Sequence, residues 1–371
     1  MRSKLALFLI LPLLLLTPGC WDLQDVNDTA FVLGIGIDSP SNSDTAKYKV
    51  TFEFAKPLST RENPKAQSLA ASMEADSILQ AIQRMQASIS RRISLSHLRL
   101  VAIGEDVART ENFQYLTNYI MREPDMALRL RLVFVQNAEA RQFFYTNPRF
   151  ENRVAAEMVA MGMLQKELDL NRTNNFLDFI IDLNRTKGVA LGSRVSIQKG
   201  ENVVVRDGAA IFKDWKLVAW LSADEAQASN WLLEKTLAVV VAKEKENTYT
   251  YRVRKKDTKF KPVLDDGKPS FVVAVSTEGM VMEEAGKDID FSKPENLKKM
   301  EELFNQAISQ QVKSAIDKSQ KELKADYLGF DKAFQKYHSE AFEFLNWSEI
   351  YPTIPIQVQV DCKIKAYGLH K

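Results

Sequence analysis

The chain opens with a short apolar segment that ends at a cysteine, and this segment constrains where the rest of the chain can fold. Arg2 and Lys4 precede an apolar run from Leu5 to Leu16 that only Pro12 interrupts. A membrane-spanning helix needs about 20 apolar residues, so a run of this length is typical of a cleaved export signal. We therefore expect residues 1–19 to be a signal peptide and the mature chain to be exported.

Cys20 stands where this leader ends, directly after Gly19. A small residue followed by cysteine is typical of a lipoprotein signal, in which the thiol takes a diacylglycerol after cleavage. Two or three acyl chains anchor a protein stably. The sequence thus predicts lipid attachment at Cys20, on the outer face of a bacterial membrane. The alternative is a plain secretory signal with an incidental cysteine, and Thr17 and Pro18 depart from the usual lipoprotein pattern.

Charge and cysteine content narrow the class of protein. Removing the leader takes away two of the 50 basic residues and none of the 48 acidic ones, so the expected mature chain carries no net charge. Nucleic-acid binders carry a basic excess, and we therefore expect no nucleic-acid partner. The two cysteines, Cys20 and Cys362, give no disulfide framework, and Cys362 lies in an apolar alternation typical of a small buried side chain.

Residues with catalytic or metal-binding potential are scattered. The three histidines, His97, His338 and His370, have no other His or Cys at metal-ligand spacing. His97 begins a predicted strand, which favours a structural role over a catalytic one. No nucleophile elbow, phosphate-binding loop or calcium loop occurs, and the lone Gly34-Ile35-Gly36 indicates close backbone packing. The sequence predicts no catalytic residue, no metal site and no cofactor, and therefore no enzyme.

Hydrophobic periodicity predicts helices and strands in mixed order, which is typical of an α+β fold with mixed or antiparallel sheets. The predicted strands of the first half lie at 31–38, 48–54, 98–103 and 128–134, and the predicted helices at 73–90, 106–120, 138–146, 152–168 and 174–184. A strand pair then follows at 203–212, with a further strand at 215–221 and a helix from 222. The last part has a hairpin at 237–253, a strand at 271–282, a long helix at 294–325 and a closing alternating strand from Ile354.

These patterns divide the expected mature chain into three predicted domains. Residues 20–187 form an N-terminal α+β domain, residues 188–235 a β-meander followed by a helix, and residues 236–371 a C-terminal α+β domain. The helix at 294–325 is the strongest in the chain, because Ser292 to Glu295 reads as a capping box and an apolar stripe follows. We expect this long helix to pack on a sheet of the C-terminal domain.

A basic run in the last predicted domain admits two interpretations. Its members are Arg252, Arg254, Lys255, Lys256, Lys259 and Lys261. The favoured interpretation is a charged strand edge that resists aggregation. The alternative is a surface that faces anionic lipid headgroups.

Several ordered motifs together resemble the Ger(x)C family, the C subunits of spore germinant receptors. They are Cys20-Trp21-Asp22, Gly34 to Asp38, His97-Leu98, Ile103 to Glu105, Arg122 to Pro124, Arg129, Gly208 to Phe212, Asp326 to Phe330, Trp347 and the strand from Val358 to Gly368. The resemblance covers essentially the whole mature chain. It implies a three-domain α+β lipoprotein of the spore inner membrane, in complex with A- and B-type membrane subunits, that takes part in nutrient-triggered germination by protein contact.

Two other functions remain open from the residues alone. One is a solute-binding lipoprotein of a transporter, which predicts two similar lobes around a ligand cleft. The other is a lipid-anchored cell-wall hydrolase, which needs a carboxylate pair or a metal centre in a cleft.

Overall fold

The structure is a computed structural model. It describes residues 28–41, 46–55, 69–110, 113–168, 175–198, 200–233, 239–285 and 293–367. Cys20, Trp21 and Ser292 lie outside the described residues.

The first sheet has ten strands among the described residues. They are β1 (Thr29–Asp38), β2 (Tyr48–Phe54), β3 (Ala70–Ala75), β4 (Arg92–Ser94), β5 (Leu100–Gly104), β6 (Arg131–Val135), β7 (Ala190–Gln198), β8 (Val203–Val205), β9 (Ala209–Lys213) and β10 (Lys216–Leu221). Eight of them follow the order β10-β9-β7-β6-β5-β1-β2-β3, while β4 pairs with β1 and β8 with β7. The central strands β1, β5, β6 and β7 are parallel, and the outer strands are antiparallel.

Helices cover both faces of this sheet. One face packs against α1 (Ile78–Gln86), α3 (Phe113–Arg122) and α6 (Phe176–Arg185). The other packs against α4 (Ala140–Phe144) and α5 (Val154–Leu168), while the short α2 (Glu105–Thr110) contacts β10. Both faces are therefore buried, which explains why the parallel strands are almost wholly apolar.

The second sheet carries one long helix. Its strands are β11 (Val239–Glu244), β12 (Asn247–Asp265), β13 (Lys268–Ala285) and β14 (Ile356–Tyr367), in that order, with β13 and β14 parallel. Helix α8 (Pro294–Asp317) continues as a π-helical turn, Lys318–Glu322. Its buried side chains recur at helical spacing: Met300, Phe304, Ile308, Val312 and Ile316. The rings of Phe304 and Tyr251 stack at 5.0 Å, which places α8 on the sheet.

Four shorter helices complete the described chain. They are α7 (Ala223–Leu233), α9 (Phe330–Tyr337), α10 (Ser339–Glu343) and α11 (Trp347–Ile350). A single apolar cluster joins α7, α8 and α9 to the second sheet and also takes in Leu191, Ala209, Ile211 and Leu221 from the first. The two sheets thus share one core at the β7-β9-β10 end of the first sheet.

The structure confirms the α+β class, the mixed sheets and the long helix packed on a sheet. The strands of the predicted middle domain extend the first sheet, so β7 to β10 do not form a sheet of their own. The division into three domains stays a prediction.

Three local predictions were wrong. The predicted helix at 73–90 is shorter, because residues 70–75 form β3 and Ser77 caps α1 by accepting a hydrogen bond from the N–H of Gln80 at 3.1 Å. The second strand of the predicted hairpin runs on to Asp265. Helix α8 begins at Pro294, as predicted, but Lys293 and not Ser292 is at the N-cap, and the α-helix ends at Asp317 instead of residue 325.

Candidate functional site

The loop after α8 is organised around one buried carboxylate. Asp326 accepts hydrogen bonds from the backbone N–H groups of Gly329 at 2.9 Å, Phe330 at 3.1 Å and Asp331 at 2.6 Å. Its Oδ2 atom also accepts one from the indole Nε1 of Trp347 at 2.9 Å. Gly329 precedes α9 with φ of +84°, a conformation that glycine adopts without strain. Asp326 therefore fixes the start of α9 and ties it to α11.

Burial changes the titration of this carboxylate and of its neighbour. Desolvation, together with the nearby charge of Asp331, raises the pKa of Asp326 to about 7, and the N–H donors oppose the shift. Burial also raises the pKa of Asp331, while the guanidinium of Arg185 acts in the opposite direction. Both carboxyl groups are held in hydrogen bonds or an ion pair, so they are poorly placed to act as a free acid and base.

An ion pair joins this loop to the helical layer of the first sheet. Arg185, at the end of α6, contacts Asp331, in the first turn of α9, and the side chain of Asp331 is only 7% exposed. Nearby, Nζ of Lys213, at the end of β9, donates to the carbonyl oxygen of Leu323 at 3.4 Å. These contacts hold the two sheets in one arrangement at their shared core.

A tight turn between β9 and β10 forms the opposite side of the junction. Its central residues, Asp214 and Trp215, have φ of +51° and +64°, which is unusual for a residue as large as tryptophan. The N–H of Trp215 donates to the carbonyl oxygen of Gly188 at 3.2 Å. A Cβ atom on Gly188 would lie 2.9 Å from Cδ1 of Trp215, so only glycine fits there without movement. Gly188 thus supports the turn in its strained conformation.

Between this turn and the loop after α8 lies an open cleft of about 790 Å³. One wall is rich in apolar side chains: Phe342, Phe344, Leu345, Trp347 and Tyr351. Polar groups of the lining include Arg185, Lys187, Lys213 and Asp214 on the side of the first sheet, and Lys324 in the loop after α8. Phe344 is 89% exposed at the mouth of the cleft, although a phenyl ring gains free energy from burial. The cleft is therefore suited to bind a molecule that carries both apolar and polar groups.

The cleft does not have the composition of a catalytic centre. Its buried carboxylates are committed to the loop and to Arg185, as described above. Across the described part of the chain, no group of three or more His, Cys, Asp or Glu side chains could hold a metal ion. The geometry of the cleft favours the binding of a partner or ligand.

The described residues that sequence analysis singled out lie apart from this cleft, with two exceptions. Cys20 lies outside the described residues, so its lipid attachment stays a prediction. Cys362 is fully buried and free, which confirms the prediction of a small core side chain. His97 is exposed, and its ring contacts Phe31 edge to face at 4.5 Å. The exceptions are Asp326 and Trp347, which both line the cleft.

The lone Gly-Ile-Gly motif is a packing feature, as predicted. A Cβ atom on Gly34 would lie 2.8 Å from Cζ of Phe144, and one on Gly36 would lie 3.1 Å from Cε2 of the same ring. These two glycines let Phe144 of α4 lie directly on β1. Asp38, at the end of β1, accepts hydrogen bonds from the N–H groups of Ala140 at 2.6 Å and Arg141 at 2.8 Å. The two glycines and Asp38 therefore position the start of α4 on β1.

The basic run lies on β12, mostly on its exposed side. Two of its members are paired with acids, Lys255 with Glu278 at 3.2 Å and Lys259 with Asp257 at 3.4 Å. Among the described residues, β12 pairs with β13 alone beyond Arg252, because Arg252 lies opposite Val239, the first residue of β11. This arrangement fits the charged strand edge, and the lipid-facing alternative stays a hypothesis.

Sequence reasoning missed the pairing of Arg185 with Asp331 and the exposure of Phe344. The first joins residues 146 positions apart, and no local pattern indicates such a contact. The second left a signal in the segment Ala341 to Trp347, where three aromatic residues and a leucine are interspersed with one acidic residue and one asparagine. The segment is too apolar for a solvent-exposed connection and too short for a core helix.

Two family models match most of the chain in succession. The model described as "Spore germination protein N-terminal domain" matches residues 22–196, and the model described as "Spore germination B3/ GerAC like, C-terminal" matches residues 207–368. The chain therefore belongs to the Ger(x)C family, as the ordered motifs indicated.

Individual relatives agree with the family models. Spore germination protein B3 of Bacillus subtilis (strain 168) is 25% identical over 370 residues, covering 96% of both chains. Spore germination protein KC of the same organism is 23% identical over 407 residues, covering 99% of this chain and 96% of the relative. A solved structure, described as the crystal structure of the GerBC protein, matches with a TM-score of 0.62 at 23% identity and covers 90% of this chain and 97% of the other. That likeness shows a shared fold. None of the helices in the described ranges combines the length and apolarity that a membrane span requires.

Proposed function

We propose that this protein is the lipid-anchored C-type subunit of a nutrient germinant receptor and acts by contact with A- and B-type membrane subunits. The two family models cover both halves of the chain, which supports the receptor role. Acylation of Cys20 would hold the folded body at the outer face of the spore inner membrane. Such tethering raises the effective concentration of a weak interface without adding any contact to it.

The observation that carries the contact mechanism is the exposed Phe344 on the apolar wall of the junction cleft. Aromatic anchors that fill a partner's pocket contribute disproportionately to protein interfaces. Phe342, Leu345 and Trp347 line the cleft with Phe344 and are partly buried against the shared core. The ion pair between Arg185 and Asp331 fixes the wall relative to the first sheet, so the surface is formed before binding. A rigid surface lowers the free-energy cost of association.

Membrane fractionation followed by co-purification tests this proposal. In sporulating cells, wild-type protein is expected in the spore membrane together with A- and B-type subunits. Cys20→Ala should release the protein from the membrane. Phe344→Ala should remain in the membrane but lose the partner subunits. Phe150→Ala is a matched control, because Phe150 is 91% exposed and does not line the cleft; it should keep both properties.

The outcomes separate the parts of the proposal. Wild-type protein found without A- or B-type subunits would contradict the receptor role. Equal loss of partners in the Phe344 and Phe150 variants would contradict the junction cleft as the contact surface. Membrane retention of Cys20→Ala would contradict the lipid anchor.

A second candidate function is the binding of a small solute in the same cleft. Its volume lies within the range of small-molecule sites, about 300 to 1,000 Å³, and cationic side chains line one side. A ligand at 100 times its dissociation constant stabilises a protein by about 2.7 kcal/mol, which a thermal unfolding assay detects. A shift with one nutrient that Lys213→Ala abolishes would favour this candidate. The hydrolase alternative has less support, because Asp326 and Asp331 are both engaged, and incubation with purified peptidoglycan tests it.

A further inference from the structure

The end of the first sheet at which β1 begins carries a group of arginines. We name it the arginine pole, and its members are Arg91, Arg92, Arg99, Arg122 and Arg129. All are exposed except Arg91, which is half-buried. None of the five forms an ion pair within the described ranges, whereas other arginines of the chain, such as Arg149 and Arg185, do.

Strand pairing places three of these arginines beside the first half of β1. Arg92 lies on β4 opposite Thr29, the first residue of β1. The N–H of Arg99 donates to the carbonyl oxygen of Leu33 at 3.0 Å, and its carbonyl oxygen accepts from the N–H of Arg131 at 2.7 Å. Arg129 comes two residues before Arg131, at the same end of β6. Because the strands are parallel, Arg99 and Arg129 come at the starts of β5 and β6, which are level with the middle of β1, about 13 Å further along it than Arg92.

Acidic residues are also present around the pole. Among the described residues these are Asp28, Glu123, Asp125 and Asp178; the last follows Leu177, whose N–H donates to the carbonyl oxygen of Leu128 at 3.1 Å. Glu123 already accepts a hydrogen bond from the hydroxyl of Tyr119 at 3.3 Å. Two apolar side chains, Met121 and Leu128, are also exposed next to the arginines. The five arginines of the pole therefore outnumber the four acidic residues around them, and apolar groups lie among them.

The position of the predicted anchor orients this pole. Asp28, the residue before β1, comes only eight positions after Cys20. A fully extended chain of that length spans about 28 Å at most. The far end of β1, at Asp38, lies about 30 Å further along a ten-residue strand. If Cys20 is acylated, the start of β1 is the end of the sheet that faces the bilayer.

We infer that the arginine pole docks on the anionic headgroups of the membrane in which the protein is anchored. This inference rests on the proposed acylation of Cys20, which supplies the orientation. Guanidinium groups bind phosphate oxygens through paired N–H donors, so arginine suits a phospholipid headgroup well. Docking would fix the tilt of the body above the membrane and so determine the height at which the junction cleft meets its partners.

Vesicle sedimentation tests the inference with the full mature chain carrying Cys20→Ser, which removes the acyl contribution. The vesicles contain phosphatidylcholine alone or phosphatidylcholine with phosphatidylglycerol. One variant combines Arg92→Gln, Arg99→Gln and Arg129→Gln. A matched control removes the same charge from β12 through Arg252→Gln, Arg254→Gln and Lys259→Gln. A third variant, with lysine at the three pole positions, retains the charge and checks that folding is intact.

The Cys20→Ser chain should bind the anionic vesicles in a salt-sensitive manner and bind neutral ones poorly. Each arginine near an anionic surface contributes about a fivefold change in partitioning, so the glutamine variant of the pole should bind about 100-fold more weakly. The control on β12 should bind like the parent chain, and the lysine variant should retain most of the binding. Equal binding by the glutamine variant, or a larger loss in the control on β12, would overturn the inference. So would pole variants that lose partner subunits without any change in vesicle binding, because the pole would then contact protein.

The anchor is measured separately, from the mass of the N-terminal peptide of the wild-type protein. If Cys20 is acylated and the pole variants bind vesicles like the parent chain, the lipid anchor is supported and the docking surface is refuted. Unmodified Cys20 removes the anchor and the orientation argument, whatever the vesicles show.

Discussion

Arg185 and Asp331 form an ion pair that joins the last residue of α6 to the first turn of α9. The two residues belong to helices that pack on different sheets, and Asp331 is almost fully buried. Asp331 also donates its backbone N–H to Asp326, the carboxylate that organises the loop after α8. One ion pair therefore couples the position of the first sheet to the shape of the apolar wall of the cleft.

Replacing Arg185 with methionine should destabilise the protein. The change leaves the buried carboxylate of Asp331 without its cation, and we expect a loss of about 2–3 kcal/mol in the free energy of unfolding, less than for a fully buried pair because Arg185 is partly exposed. Urea denaturation measures this. Arg149→Met is the matched control, since Arg149 pairs with Glu201 on the surface and exposed pairs contribute about 0.2–1 kcal/mol. Equal losses in the two variants would show that the ion pair at the junction is not special.

Replacing Trp347 with phenylalanine removes the indole donor to Asp326 and keeps an aromatic ring. A buried carboxylate that loses one donor should cost about 1–3 kcal/mol. The same change at Trp220, whose Nε1 donates to Glu105 at 2.9 Å, should cost less, because the Glu105 side chain is 20% exposed and water can reach its carboxylate. Differential scanning calorimetry of both variants checks the order. A larger loss for the Trp220 variant would contradict the role given to Asp326.

The stability of the protein should depend on the ionisation of Asp38. Burial raises the pKa of Asp38 to about 6, and the two N–H groups that it accepts from oppose the shift. At pH values between the usual pKa of 3.8 and this raised pKa, the Asp38 carboxyl is protonated in the folded protein and ionised in the unfolded chain. The contribution of Asp38 to stability is thus complete below that window and falls as the pH rises through it. The difference in the free energy of unfolding between wild type and Asp38→Asn, measured from pH 4 to pH 7, should fall in this way; a flat difference would contradict it.

Gly34→Ala should destabilise the sheet by overpacking. The added Cβ atom would press on the ring of Phe144 and lie 3.3 Å from Cβ of Ala155, so the helical layer must shift, at a cost of about 1–3 kcal/mol. Gly200→Ala is the control, because no atom lies within 4 Å of a Cβ there. Adding Phe144→Leu to the Gly34 variant should recover part of the loss. Chemical denaturation of the three variants tests this, and an unaffected Gly34 variant would refute the packing role of the motif.

Sequence patterns predicted the fold class because its elements have strong local periodicity. The apolar stripe of α8, with Met300, Phe304 and Ile308 on one face, gave the longest helix and its packing on a sheet. The alternation from Ile354 onwards gave β14 in the same way. The helix predicted from residue 73 began too early because residues 70–75, Ala-Ala-Ser-Met-Glu-Ala, have high helix propensity, and pairing with β2 overrides that preference.

The candidate site was largely beyond sequence reasoning. Asp326 and Trp347 stood out only as family motifs, and nothing local joined either to Arg185. The union of the two sheets depends on Leu191 and Ile211, whose side chains belong to the core of the second sheet although their strands belong to the first. Such long-range packing determines the shape of the cleft. Hydrophobic periodicity indicates that a side chain is buried, but it does not indicate which element the side chain packs against.

Site-specific photocrosslinking in spore membranes tests the central claim most directly. A photoreactive phenylalanine analogue at position 344 replaces one exposed ring by another, and the same analogue at position 150 is the matched control. Position 344 should form crosslinks to the A- or B-type subunit, and position 150 should form far fewer. Crosslinks to these subunits from position 150 alone, or from neither position in spores that germinate normally, would contradict a receptor contact at the junction cleft.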